Sequence, residues 1–263
     1  MSITILIHSS KTMRSIAPTI SATTPPLINK IKPLAAYVQT LAPTEMQQIM
    51  SISKPLSHTV HGAWTQWNTE SDQQSLAIDS FVGDIYSGLQ ANTLSTQDRD
   101  YAQQTIRILS GLYGILRPYD GVRPYRLEMG YKSPSSLYGN LYTYWGTSIA
   151  EALSKEGLIV NLSAAEYTKT VLPYIDSTRV VAPRFLIKNL KTGEPKQVIV
   201  HTKIARGAFA RWLIQSRITS LDDMMLFNDL NYRYEASLST PLEPVFVCET
   251  FGGIGLSMRL QKV

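Results

Sequence analysis

Between Ser110 and Gly130 the chain reads Gly-Leu-Tyr-Gly-Ile-Leu-Arg-Pro-Tyr-Asp-Gly-Val-Arg-Pro-Tyr-Arg-Leu-Glu-Met-Gly, and no plain helix or strand can hold it. Its four glycines permit tight turns and close backbone approach, and its two prolines fix φ. Among them stand Arg117, Asp120, Arg123, Arg126 and Glu128. Two readings follow. The segment is a ligand-facing loop whose arginines act as donor forks for phosphate or carboxylate. Alternatively it is a buried turn in which Arg126 and Glu128 satisfy internal partners.

Elsewhere the pattern is regular. Residues 3–7 read as a strand, followed by the polar turn His8-Ser-Ser-Lys-Thr12 and a Ser/Thr/Pro-rich loop to Pro26. Apolar spacing predicts a helix over 27–41, and Thr44-Glu-Met-Gln47 resembles a capping box opening a second. A third helix is expected from near Ser53 to about Trp67. The run 75–82 reads as a strand, Ser95 caps a helix to about Ile106, and a further helix is expected over 137–153. Leu158-Ile-Val-Asn-Leu162 reads as a buried strand, and Ser163-Ala-Ala-Glu166 as the cap of a short helix to Val171. Strands are expected at 179–187 and 197–203 around a hairpin turn at 189–194, then a helix over 204–217. A short helix capped by Ser220 and strands near 232–235 and 245–249 complete the chain. This order predicts a mixed α/β (α+β) fold, a single domain over 1–263, with a central mixed sheet and surrounding helices.

With 44% hydrophobic and 17% charged residues, the chain is globular rather than disordered. One cysteine, Cys248, excludes an internal disulfide. No apolar run approaches a membrane span, and the first residues lack the charged start of a signal peptide, so a cytoplasmic protein is expected. The net charge of +5 is unevenly spread. Residues 168–217 carry ten basic side chains against Asp176 and Glu194, whereas 64–100 carry six acids against Arg99. A basic block suits a polyanion such as nucleic acid, or it is simply a solvated face.

On the helix expected over 204–217, Lys203, Arg206 and Arg217 fall within roughly a 60° arc, positioned to grip successive phosphates. Gly207 costs that helix about 1 kcal/mol relative to alanine, so either a ligand or a neighbouring element approaches its backbone. Lys11 sits in the polar turn after the first strand, where a lysine can hold a phosphate, although the glycines of a P-loop are absent. Gly111-Leu-Tyr-Gly114 loosely resembles the hairpin of a helix-hairpin-helix element, with one residue too many between its glycines. The four histidines form no metal-ligand pattern, and neither metal nor cofactor is expected. Asp84 and Glu128, each in a glycine-rich turn, are the candidate catalytic acids, with structural ion pairs to Arg117 or Arg126 as the alternative.

Several long blocks together resemble the YaaA family, bacterial proteins associated with peroxide stress. They include Ser10-Lys-Thr12, Phe81-Val-Gly-Asp-Ile-Tyr-Ser-Gly-Leu-Gln90 and Leu109-Ser-Gly-Leu-Tyr-Gly-Ile-Leu-Arg-Pro118. Pro124-Tyr-Arg-Leu-Glu-Met-Gly130, Leu141-Tyr-Thr-Tyr-Trp-Gly146, Glu166-Tyr167 and Ala205-Arg-Gly207 extend the match over nearly the whole length. The chain departs at Asn161-Leu-Ser-Ala164, where the family usually has Asn-Leu-Ala-Ser. It also keeps only Glu235 in the stretch 234–239, which is often acidic.

The resemblance implies one mixed α/β domain with a positive cleft and a helix-hairpin-helix-like element. It implies binding of duplex or branched DNA and a part in iron homeostasis that limits damage during peroxide stress. Carried onto this chain, the DNA-binding candidates are Lys11, Gly111, Gly114, Arg117, Arg126, Lys203 and Arg206, with Arg217 added from the helix arc. The competing hypothesis is an enzyme acting on a nucleotide or nucleic-acid base, in which Lys11, Asp84, Arg117, Arg126 and Glu128 converge in a pocket. Direct iron sequestration is a third.

Overall fold

The computed structural model describes residues 2–70, 74–131, 139–189 and 191–254. Its centre is the strand Ile3–His8, whose six residues are all buried. A strand covered on both faces can be apolar nearly throughout rather than alternating, as Ile-Thr-Ile-Leu-Ile is apart from Thr4. It pairs in parallel with Ile106–Ser110 on one side and with Leu158–Asn161 on the other, in registers such as Ile5 with Ile106 and Ile5 with Val160. Val180–Val181 extends the sheet in parallel beyond Leu158–Asn161, and Gly114–Leu116 closes the opposite edge as an antiparallel strand. The three central strands end on one side of the sheet, at His8, Ser110 and Asn161, the edge where open parallel sheets bind ligands.

A second sheet of four strands has the order Pro195–Lys196, Arg184–Lys188, Val245–Cys248 and Arg233–Tyr234. Its two inner strands are parallel and its edges antiparallel. Helix Ile199–Gln215 packs between this sheet and helix Asp84–Leu89. Thr202, Ile204, Ala205, Gly207, Ala208, Phe209, Ala210, Leu213 and Ile214 are buried, which surrounds much of the cylinder. Helices Ile28–Gln39, Pro43–Met50, Lys54–Thr65 and Thr96–Thr105 complete the cover, and one hydrophobic cluster runs from Ile3 to Cys248. The mixed α/β class holds.

The differences from expectation are local. Residues 197–203 are not a strand; the helix begins at Ile199, so Lys203 lies inside it. The β-branched run Val-Ile-Val reads as a strand in isolation, but burial against two layers decides in favour of the helix. The 75–82 run splits into strands Ser75–Leu76 and Phe81–Val82 around the helical turn Ala77–Ser80. The helix expected over 137–153 is divided, at Gly146, into Leu141–Trp145 and Ser148–Glu151, and residues 137 and 138 lie outside the described residues. The second helix starts at Pro43, and its capping carboxylate is Glu45, which accepts from the Ala42 N–H at 2.8 Å.

The expected helix-hairpin-helix-like element is not formed at Gly111–Gly114. That segment turns between the antiparallel strands Ile106–Ser110 and Gly114–Leu116 and is buried throughout. The Gly111 carbonyl accepts from the Trp145 indole N–H at 3.0 Å, and a Cβ on Gly111 would lie 2.1 Å from the Leu127 carbonyl oxygen. Gly114 has φ +68 and rests on the Trp145 ring. No phosphate can approach these backbone groups, because the protein's own core occupies the space.

Candidate functional site

The turn after the first strand is held by short polar contacts. Ser10 Oγ donates to the Thr12 carbonyl at 2.7 Å and accepts from the Val82 N–H at 3.0 Å. Strand Thr12–Met13 pairs with Phe81–Val82, bringing Lys11 beside Gly83 and Asp84. Helix Ile199–Gln215 reaches the same place because it packs on helix Asp84–Leu89, and it contributes Lys203. Ala164, Glu166 and Tyr167 follow strand Leu158–Asn161, and Glu128 descends from the glycine-rich turn. Together these segments enclose a cleft of about 370 Å³ at the shared C-terminal edge of the parallel strands.

The floor of the cleft is a buried network. Tyr167 Oη donates to Glu128 Oε2 at 2.9 Å and receives a longer contact from Ser9 Oγ at 3.4 Å. Burial pushes the Glu128 carboxyl upward and Glu166 adds to the shift, while Tyr167, Lys11 and Arg126 oppose it. The Tyr167 phenol is raised as well, by burial and then by the Glu128 charge. Its ring stacks on His8 at 4.8 Å between centroids.

His8 Nδ1 accepts from the Ala164 N–H at 3.1 Å and lies 3.2 Å from Ser163 Oγ. A backbone donor at Nδ1 puts the ring proton on Nε2. Burial first, then Arg206 and Lys203, pull the His8 pKa down to about 3, so the ring is neutral at physiological pH. Tyr86 Oη donates to the His8 carbonyl at 3.0 Å, and Glu166 Oε1 accepts from the Gly130 N–H at 2.8 Å.

Lys11, Asp84, Glu128 and Lys203, expected from sequence, thus line one cleft. Arg206 lies one helical turn beyond Lys203 and within electrostatic reach of His8. Its guanidinium is disfavoured by burial, and its buried Nε has no hydrogen-bond partner in the protein. Arg126 stands near Glu128, and its Nε is likewise unpartnered.

Two expected residues are elsewhere. Arg117 clamps a turn: its Nη2 and Nε bind Asp120 Oδ1 at 2.8 and 3.1 Å, and Nη2 also reaches the Thr24 carbonyl. Arg217 lies past the helix end with φ +53, pairs with Asp98 at 2.8 Å and stands over the Tyr101 ring. It therefore leaves the arc expected for Lys203 and Arg206. The basic block does not converge as a whole either. Arg179 and Arg211 bind backbone carbonyls, and Lys188 pairs with Glu249. Of the alternative ion pairs to Arg117 or Arg126, Arg117 pairs with Asp120, and Arg126 lies within electrostatic reach of Glu128.

Sequence reasoning did not assign His8, Ser9, Tyr86, Glu166 or Tyr167 to a site. The available signal was position: His8 and Ser9 end one apolar strand, and Ser163 to Tyr167 follow another. Among the described residues, no group of three or more His, Cys, Asp or Glu is placed to hold a metal ion. No described helix is long and apolar enough to cross a membrane.

The chain is similar to known proteins over most of its length. It is 52% identical over 257 residues to a UPF0246 protein of Salinispora tropica, covering 97% of each chain. It is 38% identical over 234 residues to a UPF0246 protein of Burkholderia mallei, covering 85% of this chain and 89% of the other. The family described as peroxide stress protein YaaA matches residues 3–238. With that span, and with relatives aligned almost end to end, the chain belongs to the peroxide stress protein YaaA family.

Proposed function

We propose that the protein acts in peroxide stress by binding DNA, duplex or branched, through its phosphates and without sequence preference. The contacts are Lys11 and Lys203 in the cleft, with Arg126 and Arg206 nearby, and the protein helps limit damage driven by free iron. The observation that carries the reading is convergence. Lys11 and Lys203, distant in the chain, line one cleft, and Arg206 and Arg126 lie within electrostatic reach of His8 and Glu128 in its lining.

Phosphate binding predicts a steep fall of affinity with salt. Fluorescence anisotropy with labelled duplex and four-way junction, at low and near-physiological salt, tests it. Lys203→Glu weakens both DNAs alike and reduces the salt slope by about 1. No binding at micromolar protein in low salt overturns the reading. A second reading, an enzyme acting on a nucleotide or nucleic-acid base, is favoured by the Glu128 and Tyr167 pair at the cleft floor.

A further inference from the structure

We propose that the cleft hydrolyses the bond between a damaged base and its deoxyribose, with Glu128 as the proton donor to the departing base. This rests on the DNA-binding reading and deepens it by naming the substrate class, an oxidised or otherwise damaged nucleotide turned out of the duplex.

Size comes first. At about 370 Å³ the cleft falls within the range of small-molecule sites, roughly 300–1,000 Å³. A duplex cannot enter it, so only a single extruded nucleotide reaches the floor. Lys11 and Lys203 line the cleft and suit the phosphates on either side of that nucleotide.

The second observation is the arrangement of acids. Two carboxyl groups, Asp84 and Glu128, line the same cleft, and both are buried. Tyr167 donates to Glu128 Oε2, which leaves Oε1 as the oxygen to carry a proton when the carboxyl is protonated. Burial and the neighbouring Glu166 favour the protonated form, against Lys11, Arg126 and the Tyr167 hydrogen bond. A buried carboxyl whose protonated form is favoured can serve as a general acid, and a second carboxyl lining the same cleft can accept the proton of water.

The step balances with water as the only co-reactant. The Oε1 proton of Glu128 moves to the base as the C1′–N bond breaks, and the bonding pair leaves with the base. The water oxygen bonds to C1′ and its proton passes to Asp84. The products are the free base and a hemiacetal sugar, and solvent returns the proton from Asp84 to Glu128. Membership of a peroxide stress family makes oxidised bases the first substrates to examine.

The test uses the full chain with labelled single-stranded and duplex oligonucleotides. Each carries one oxidised purine, oxidised pyrimidine, alkylated purine or uracil. Base release is read as alkali-labile cleavage, and binding is read by anisotropy in the same mixtures. Release from at least one damaged base is expected, slowed at least about 100-fold by Glu128→Gln. In the parent protein the rate falls as pH rises through the Glu128 transition. Binding without release from any of the bases overturns this inference and leaves the DNA reading standing. Neither binding nor release overturns both. Release that is undiminished in Glu128→Gln, or a rate flat with pH where that variant fails to fold, also overturns it.

Discussion

Gly88 and Gly207 face each other across two crossing helices, each against the backbone of the other's helix. A Cβ on Gly207 would lie 1.8 Å from the Ile85 carbonyl oxygen, and a Cβ on Gly88 would lie 2.0 Å from that of Ile204. This contact sets the distance between helix Asp84–Leu89 and helix Ile199–Gln215, and so between Asp84 and Lys203 in the cleft. Either glycine replaced by alanine forces the helices apart. Gly207→Ala is expected to destabilise by at least about 2 kcal/mol, a drop in Tm of about 4 °C or more by calorimetry.

His8 makes stability depend on pH in a defined direction. Its folded pKa of about 3 lies below the ordinary value of 6.5, so in that window the unfolded chain binds the extra proton. The contribution is fully present above pH 6.5 and is lost as pH falls towards 3, by about 1.4 kcal/mol per unit at most. Denaturation curves of the parent and His8→Gln, subtracted to remove the shared carboxylates, should show this slope. A flat difference would contradict a neutral, buried ring.

Glu128 has the opposite sign. Its folded pKa is raised, so its contribution is present below the ordinary carboxyl value and is lost as pH rises through the folded transition. Glu128→Gln should therefore be relatively more stable than the parent at pH 8 than at pH 4. Tyr167→Phe removes a hydrogen bond that opposes the shift and should raise the Glu128 transition further, as read by carboxyl carbon NMR.

Arg117 separates a structural arginine from the cations of the cleft. The Asp120 carboxylate is fully buried and also accepts from Thr23 Oγ1 at 2.6 Å and from the Arg117 N–H. Arg117→Ala leaves that charge without its guanidinium and should cost about 3 kcal/mol in urea melts. Its affinity for DNA should stay within about twofold of the parent, well short of the loss at Lys203→Glu.

Cys248 should not respond to peroxide in the native protein. It is buried, burial raises its thiol pKa, and oxidation needs an accessible thiolate. Thiol labelling should be slow when folded and complete in denaturant, and millimolar peroxide should leave the native mass unchanged.

Much of the fold was legible because it depends on local rules. Ser95 and Ser220 cap helices as their spacing implies, each accepting from an Asp N–H three residues on. The first strand and Leu158–Asn161 stand out as continuous apolar runs. What escaped was decided by packing between distant segments. Residues 197–203 look like a strand until two layers close on them. Gly207 left ligand and neighbouring helix equally open, and the neighbour proves to be Ile85. Of the expected site residues, Lys11, Asp84, Glu128 and Lys203 converge, whereas Arg117 and Arg217 found carboxylates close at hand. Asp120 stands three residues from Arg117, a local pairing, whereas Asp98 meets Arg217 only through the fold.

The central strand Ile3–His8 is flanked by partners about 100 and 155 residues later in the chain. During synthesis this strand emerges long before Leu158–Asn161 exists to cover it, so an apolar ribbon waits unpaired while the intervening residues are made. Assembly should accordingly be slow.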